Sequence, residues 1–441
     1  AADGLAARFR EHGVGAGDIV ALVLPSSADY AVCYQAAMRL RAITTGINPR
    51  LGPAEIGSIL DRTVPRIAVR EEDLADLRTA YAAEPIADLP RPERTDPVAI
   101  VWTSGTTGAP KGAVFDHANL EAVAVGAGAL GAYGDRRCAP LPFAHVAYMS
   151  RPWEEIAKRI TTVIPPTPWT AAGMLAMMVA ERVTVGQGVP TQWRLLLDLP
   201  ELDEADLGAL RIVGTGAATV PPDLVREMER RLGCPVVIGY TSTEASITTG
   251  TVPGDTPEVR AETVGRAREN VTVEVVDDGG EPVPTGVVGR VRCRSSAVMR
   301  GYWGDPERTA EVLSADGWLS TGDLGRLDER GYLTLVGRRS EMYIRGGYNV
   351  YPAEVERVLS AHPGVSQVAI VGTADRVLGE IGTAYVVAAD GAVPVLDDLR
   401  RAVRSVLADY KAPDRLVLVE ALPLTAMGKV DKAALARVAG A

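Results

Sequence analysis

Residues 103–112 read Thr-Ser-Gly-Thr-Thr-Gly-Ala-Pro-Lys-Gly, and this stretch narrows what the chain can fold into more than any other. Glycines without a Cβ let backbone N–H groups crowd around phosphate oxygens, the Ser and Thr hydroxyls add donors, and Lys111 supplies a mobile cation for outer phosphates. The run suits an anionic polyphosphate far better than a packed core. It predicts a nucleotide-binding loop between a strand at Val98 to Thr103 and a helix beginning near His117. The spacing of Gly105, Gly108, Lys111 and Gly112, with no Ser or Thr after the lysine, argues against a Walker A loop and the P-loop ATPases.

Around that loop, apolar strand-like runs alternate with segments of helical period. Ile19 to Leu24 precedes a helix at Ala28 to Leu40, and Ile67 to Val69 precedes the strand that enters the loop. This alternation predicts an α/β protein with largely parallel sheets. Later strands, Val271 to Val276 and Val287 to Cys293, are separated by Gly- and Pro-rich turns and predict an antiparallel, barrel-like section. A compositional change near Gly337 places a boundary between a large unit, 1–337, and a small α/β unit, 338–441. The first residues read as the middle of a helix, Ala1 to His12, which suggests a trimmed start.

Composition closes off other classes. A net charge of −10 over 441 residues leaves no broad basic face for nucleic acid, so any anion site is local. The cysteines at 33, 138, 234 and 293 are scattered and only four histidines are present, which supports neither a disulfide framework nor a zinc cluster and favours a reducing, cytoplasmic setting. No apolar run has the length of a membrane span.

Five further pieces follow the loop in order: Leu-Pro-Phe-Ala-His-Val around His145; Gly-Thr-Gly-Ala-Ala from Gly214; Gly-Tyr-Thr-Ser-Thr-Glu ending at Glu244; Ser-Thr-Gly-Asp-Leu around Asp323 with Gly337 and Arg338 beyond; and Pro-Leu-Thr-Ala-Met-Gly-Lys ending at Lys429. Together with the loop, this set resembles the adenylate-forming superfamily of acyl-CoA synthetases, peptide adenylation domains and luciferases, over nearly the whole chain. The resemblance implies a large amino-terminal domain of αβαβα-type sheets with a barrel-like section, and a small mobile α+β carboxy-terminal domain.

It also implies roles. Thr103, Ser104, Gly105, Thr106, Thr107, Gly108 and Lys111 look like the loop holding the outer phosphates of ATP. Tyr240 is similar to the residue that stacks on adenine, with Gly214, Gly216, Ala217 and Ala218 as the wall beside the base. Thr243 is similar to the hydroxyl near the α-phosphate and Glu244 to the magnesium ligand, a hard oxygen donor beside phosphates. Asp323 resembles the acceptor of both ribose hydroxyls, Arg338 the cation near ribose and phosphate, and Lys429 the lysine that bridges the α-phosphate and substrate carboxylate. Gly346 and Gly347 resemble the strand turn that meets the pantetheine arm of coenzyme A after a rotation of the small domain, and Ser340 stands at the pivot, where Asp or Lys is usual.

The implied acyl pocket takes His145, Val146, Met149, Gln187, Gly188, Val189, Pro190 and Thr191, mostly small or apolar, and predicts an apolar carboxylic acid, with fatty acid metabolism as one setting. The aspartate by which amino-acid-activating relatives pair with an ammonium is absent: Ala147, Tyr148 and Met149 stand there, with no acid before Glu154. Two departures remain, a shortened segment before residue 98 and Thr241 in place of the usual glycine. The reading is an ATP-, Mg2+- and coenzyme A-dependent acid:CoA ligase. Three alternatives stay open: loading of a carrier-protein pantetheine in trans, a degenerate ligand-binding homologue, and luciferase-like oxidation.

Overall fold

The computed structural model describes residues 1–84, 86, 88–103, 110–425 and 429–439. Two mixed sheets carry most of the amino-terminal part. The first has strand order Gly301–Tyr302, Lys111–Asp116, Pro97–Thr103, Ile43–Ile47, Ile19–Val23, Ile67–Val69; the last four are parallel to their neighbours, and the first two are antiparallel additions. Ile19–Val23 and Ile43–Ile47 are buried at every residue, as expected of parallel strands covered on both faces.

The second sheet runs Arg266–Ala267, Ser246–Gly250, Val236–Ser242, Ile212–Gly216, Val185–Gly188, Arg136–Cys138, Thr161–Val163, parallel except at the first two strands. Helix Pro222–Leu232 packs Leu224, Val225, Met228 and Leu232 on one of its faces, where they join Trp193 and Leu196 in a single core. Helix His117–Gly126 begins where the sequence placed it. Asp116 caps it by accepting from Asn119 N at 2.8 Å, and the Asn119 amide donates to the carbonyls of Ser296 and Val298.

The predicted antiparallel section is a four-stranded sheet, Val271–Val276, Gly289–Ser295, Leu319–Leu327 and Leu333–Arg338. A last sheet, built from Tyr348–Val350, Tyr343–Arg345, Gly379–Ala388, Val365–Asp375 and Arg415–Leu418, has its own core of Val355, Leu359, Ile370, Val386, Leu399 and Val403 under helices Pro352–Ser360 and Leu396–Arg404. Helix Lys432–Ala439 follows the Lys429 turn. Among the described residues no helix is long and apolar enough to cross a membrane.

Candidate active site

Thr103 and Lys111 are register partners at the ends of an antiparallel strand pair, so the phosphate-type loop is a hairpin connection with its lysine at one foot. Ser104, Gly105, Thr106, Thr107 and Gly108 lie outside the described residues. The Thr103 hydroxyl is buried and meets no partner among the described residues. Arg62 braces the lysine foot by donating to the Pro110 carbonyl, with its guanidinium 5.0 Å over the Trp102 ring.

Tyr240 lies on strand Val236–Ser242 beside a register shift at Thr241, and its hydroxyl donates to Asp323 Oδ2. Asp323 is 5% exposed on the third sheet, opposite Arg338, whose Nε forms an ion pair with Asp323 Oδ1 at 3.1 Å. Burial pushes the Asp323 carboxyl up, and Arg338 and Tyr240 oppose that shift. The sequence assigned these residues separately to base, ribose and phosphate; the fold brings all three into contact.

Thr243 and Glu244 occupy the turn between Val236–Ser242 and Ser246–Gly250. Glu244 Oε1 accepts from the Tyr302 hydroxyl at 2.8 Å, and Lys111 Nζ sits 4.8 Å over the Tyr302 ring. The sequence reading missed Tyr302. Its signal was the run Arg300-Gly301-Tyr302-Trp303, whose strand Gly301–Tyr302 pairs with Val114 and Ala113 beside Lys111. Among the described residues no three His, Cys, Asp or Glu side chains form a metal cage. Glu244 is thus a lone carboxylate, which fits an Mg2+ held chiefly by substrate phosphates and water.

His145 caps helix Val146–Met149, its Nδ1 accepting from Ala147 N at 3.3 Å, so the imidazole presents Nε2–H. Burial, helped by the nearby Lys429 charge, pushes this imidazole down to about 4. Lys429 reaches the same cleft, its carbonyl accepting from Thr425 N at 2.7 Å. Burial and Arg338 lower its ammonium, while Asp323 and Glu244 hold it up. One half-buried cation therefore feels the imidazole, the ribose-type acid and the metal-type acid at once.

The expected acyl wall divides. Gln187 and Gly214 are register partners on one face of the second sheet, over Leu130; Gly188 and Thr215 are on the opposite face, with Trp193 packed against Gly188. Gly216 lies so close to Gly239 that an added Cβ would come within 2.3 Å of the Gly239 carbonyl oxygen. Ala217 has a φ of +63°, Ala218 is exposed, and Thr191 follows the buried helix start at Val189 and Pro190. Val146 and Met149, expected in the wall, lie on a one-turn helix and are both buried in the cluster that holds Phe143 and Tyr148. Gly346 and Gly347 form an exposed turn of the last sheet with φ of +56° and +89°, and Ser340 lies exposed in the single turn Arg339–Glu341.

Two α/β layers, a small second unit carrying a lysine turn, and a Tyr–Asp–Arg group beside a hydroxyl-rich hairpin define an enzyme that adenylates a carboxylate. Residues 1–303 match the profile of the AMP-binding enzyme family and residues 354–429 that of the AMP-binding enzyme C-terminal domain. The chain belongs to this family, in its AMP-forming acyl-CoA synthetase branch. It is 35% identical over 453 residues to a feruloyl-CoA synthase of Amycolatopsis sp, covering 98% of this chain and 91% of that protein. A 3-[(3aS,4S,7aS)-7a-methyl-1,5-dioxo-octahydro-1H-inden-4-yl]propanoyl:CoA ligase of Rhodococcus jostii (strain RHA1) is 36% identical over 86% of this chain and 71% of its own length. The ATP-bound crystal structure of MatB from Rhodopseudomonas palustris superposes with a TM-score of 0.91 at 29% identity, covering 99% of this chain and 92% of that one.

Proposed function

We propose that Lys429 carries the adenylation half-reaction of an ATP-dependent acid:CoA ligase, by holding the substrate carboxylate against the α-phosphate. The observation behind this reading is the position of Lys429 in the cleft that holds His145, Glu244, Asp323 and Arg338. The carboxylate oxygen attacks the α-phosphorus, the bond to the β-phosphate breaks, and acyl-AMP and pyrophosphate form. Two anions must meet for this, and a cation between them removes their repulsion. The thiol of coenzyme A then attacks the acyl carbon, and AMP leaves.

Within that scheme Asp323 accepts from the ribose hydroxyls once Tyr240 gives way to the base, and Arg338 keeps Asp323 ionised. The outer phosphates take the 103–111 hairpin, drawing Lys111 off Tyr302. His145, neutral at working pH, donates from Nε2 towards the acyl carboxylate, and Thr243 towards the α-phosphate. Glu244 would hold Mg2+, which when bound neutralises charge developing on pyrophosphate. We place the mobile unit at 338–441, with Gly346 and Gly347 meeting the pantetheine arm. The four cysteines are free and buried, which suits a reducing cytoplasm.

The test is pyrophosphate exchange and mass-resolved products with a panel of acids, with and without coenzyme A. Acyl-CoA and AMP appearing together support the reading. Acyl-adenylate that accumulates untouched by coenzyme A points to a carrier-bound thiol instead.

A further inference from the structure

Three glycines in register, Gly216, Gly239 and Gly250, cross three adjacent strands on the face of the second sheet that also carries Gly214. A Cβ at Gly239 would meet no atom closer than 3.9 Å, so the middle of this row is open. The row starts at the Gly-Thr-Gly-Ala-Ala run and, at two strand spacings, is roughly 10 Å long. Its far end is closed by Arg268: a Cβ at Gly250 would fall 2.0 Å from Arg268 Nη2, and one at Gly128 2.9 Å from Nη1. Arg268 also borders a cavity of about 200 Å3 with Val125, Gly126 and Val252.

Arg268 is under-partnered for such a position. Its Nε is buried without an acceptor, its one hydrogen bond, Nη2 to the Thr251 carbonyl, is long at 3.4 Å, and no carboxylate among the described residues lies within ion-pair distance. A second guanidinium, Arg151, 8% exposed and six residues beyond His145, is near enough for its charge to bear on Arg268. Arg151 gives Nη1 to Glu154 Oε2 at 3.0 Å, an oxygen it shares with Arg137 Nη1 at 3.0 Å, while Glu154 Oε1 is buried without a hydrogen-bond partner among the described residues. Ser150 ties this segment to strand Ser246–Gly250 through the Ser246 hydroxyl at 3.3 Å. Burial and the Arg151 charge both lower Arg268, and Asp255 offsets them only in part. A guanidinium whose buried Nε meets no acceptor is unfavourable until an oxygen ligand joins it.

We propose that Arg268 forms an oxygen-acceptor subsite at the end of the glycine row, so that the acid activated here carries a second acceptor oxygen, a carboxylate or a ketone, at its far end. This rests on the acid:CoA ligase reading and replaces a wholly apolar pocket by an apolar trough with a basic end. Arg268 is a specificity residue that does not touch the reacting atoms.

The test compares azelate, the methyl-ketone acid of the same length and nonanoate by pyrophosphate exchange, with wild type, Arg268→Leu and Arg268→Lys. Folding of each variant is checked by its melting temperature. An acceptor-tipped acid should win over nonanoate by at least about tenfold in kcat/KM, the charge-assisted bond being the difference, and Arg268→Leu should erase that ratio while Arg268→Lys keeps part of it for azelate. Preference for nonanoate in wild type, or a ratio that moves less than about twofold in Arg268→Leu, overturns the subsite. The melting temperature with ATP and azelate separates the two readings. If no acid supports exchange, the ligase reading falls; a shift with azelate in wild type but not in Arg268→Leu would then keep the subsite, and no shift in either would remove it.

Discussion

Tyr302→Phe takes a single oxygen from a residue that touches two proposed ATP-site groups. Tyr302 is 6% exposed, and its hydroxyl gives Glu244 a 2.8 Å hydrogen bond that water cannot readily replace. A hydrogen bond to a charged group contributes about 1.5–3 kcal/mol, equivalent to roughly 10- to 150-fold in rate if all of it is felt in the transition state. The ring under Lys111 remains in this variant, so the loss isolates the orientation of Glu244. Pyrophosphate exchange is measured across a magnesium series, with ATP affinity read separately by equilibrium binding. We expect kcat/KM for ATP to fall about tenfold or more at limiting magnesium and to recover partly at high magnesium. Tyr302→Leu also removes the surface 4.8 Å below Lys111 Nζ and should add a further loss, since a cation over a buried ring contributes about 0.5–2 kcal/mol. If Tyr302→Phe stays within twofold of wild type at every magnesium concentration, the hydroxyl does not position Glu244 and the reasoning fails.

Lys429→Ala should lower adenylation about a thousandfold or more, since two unit charges 4 Å apart at an effective dielectric near 20 interact by about 4 kcal/mol, while thioester formation from supplied acyl-adenylate stays within tenfold; equal losses in both half-reactions would refute its assignment. Asp323→Asn should raise KM for ATP at least tenfold without lowering the melting temperature at pH 7: burial raises the folded pKa, the unfolded carboxyl ionises first as pH rises, and ionised Asp323 therefore costs stability that the amide does not. His145 binds its proton near 4 when folded but near 6.5 when unfolded, so acid favours the unfolded chain between those values, and His145→Gln should flatten the fall in melting temperature over that window.

Legibility in the sequence followed the type of physical signal. The hydroxyl- and glycine-rich hairpin, Tyr240, Asp323, Arg338 and Lys429 were readable because local composition and order marked them, and Tyr240, Asp323 and Arg338 are in contact in the fold. Strands Ile43–Ile47 and Lys111–Asp116 were not anticipated: the first is short and holds two threonines and a glycine, and the second begins inside the loop motif. The inward packing of Val146 and Met149 has no periodic signature in a helix of one turn. Arg268 carried no mark in the sequence; only the fold, which brings its Nη2 to where a Cβ of Gly250 would stand, shows it at the end of the glycine row.

The polar residue at the proposed pivot fits the contacts on either side of it. Arg339, before Ser340, pairs with Asp278 of the third sheet at 3.2 Å through two well-exposed side chains. Glu341, after it, meets Lys432 at 2.7 Å, and Lys432 also holds Glu356 at 2.8 Å on helix Pro352–Ser360. The acid partners raise the Lys432 ammonium against the effect of its burial, so this cluster is the firmer anchor. One flank of Ser340 is thus fastened to the large unit and the other to the small one, and a rotation between the half-reactions need break neither. A dihedral change at the proposed pivot would then fall on Ser340, whose short exposed side chain has no packing to lose and needs no charge to serve.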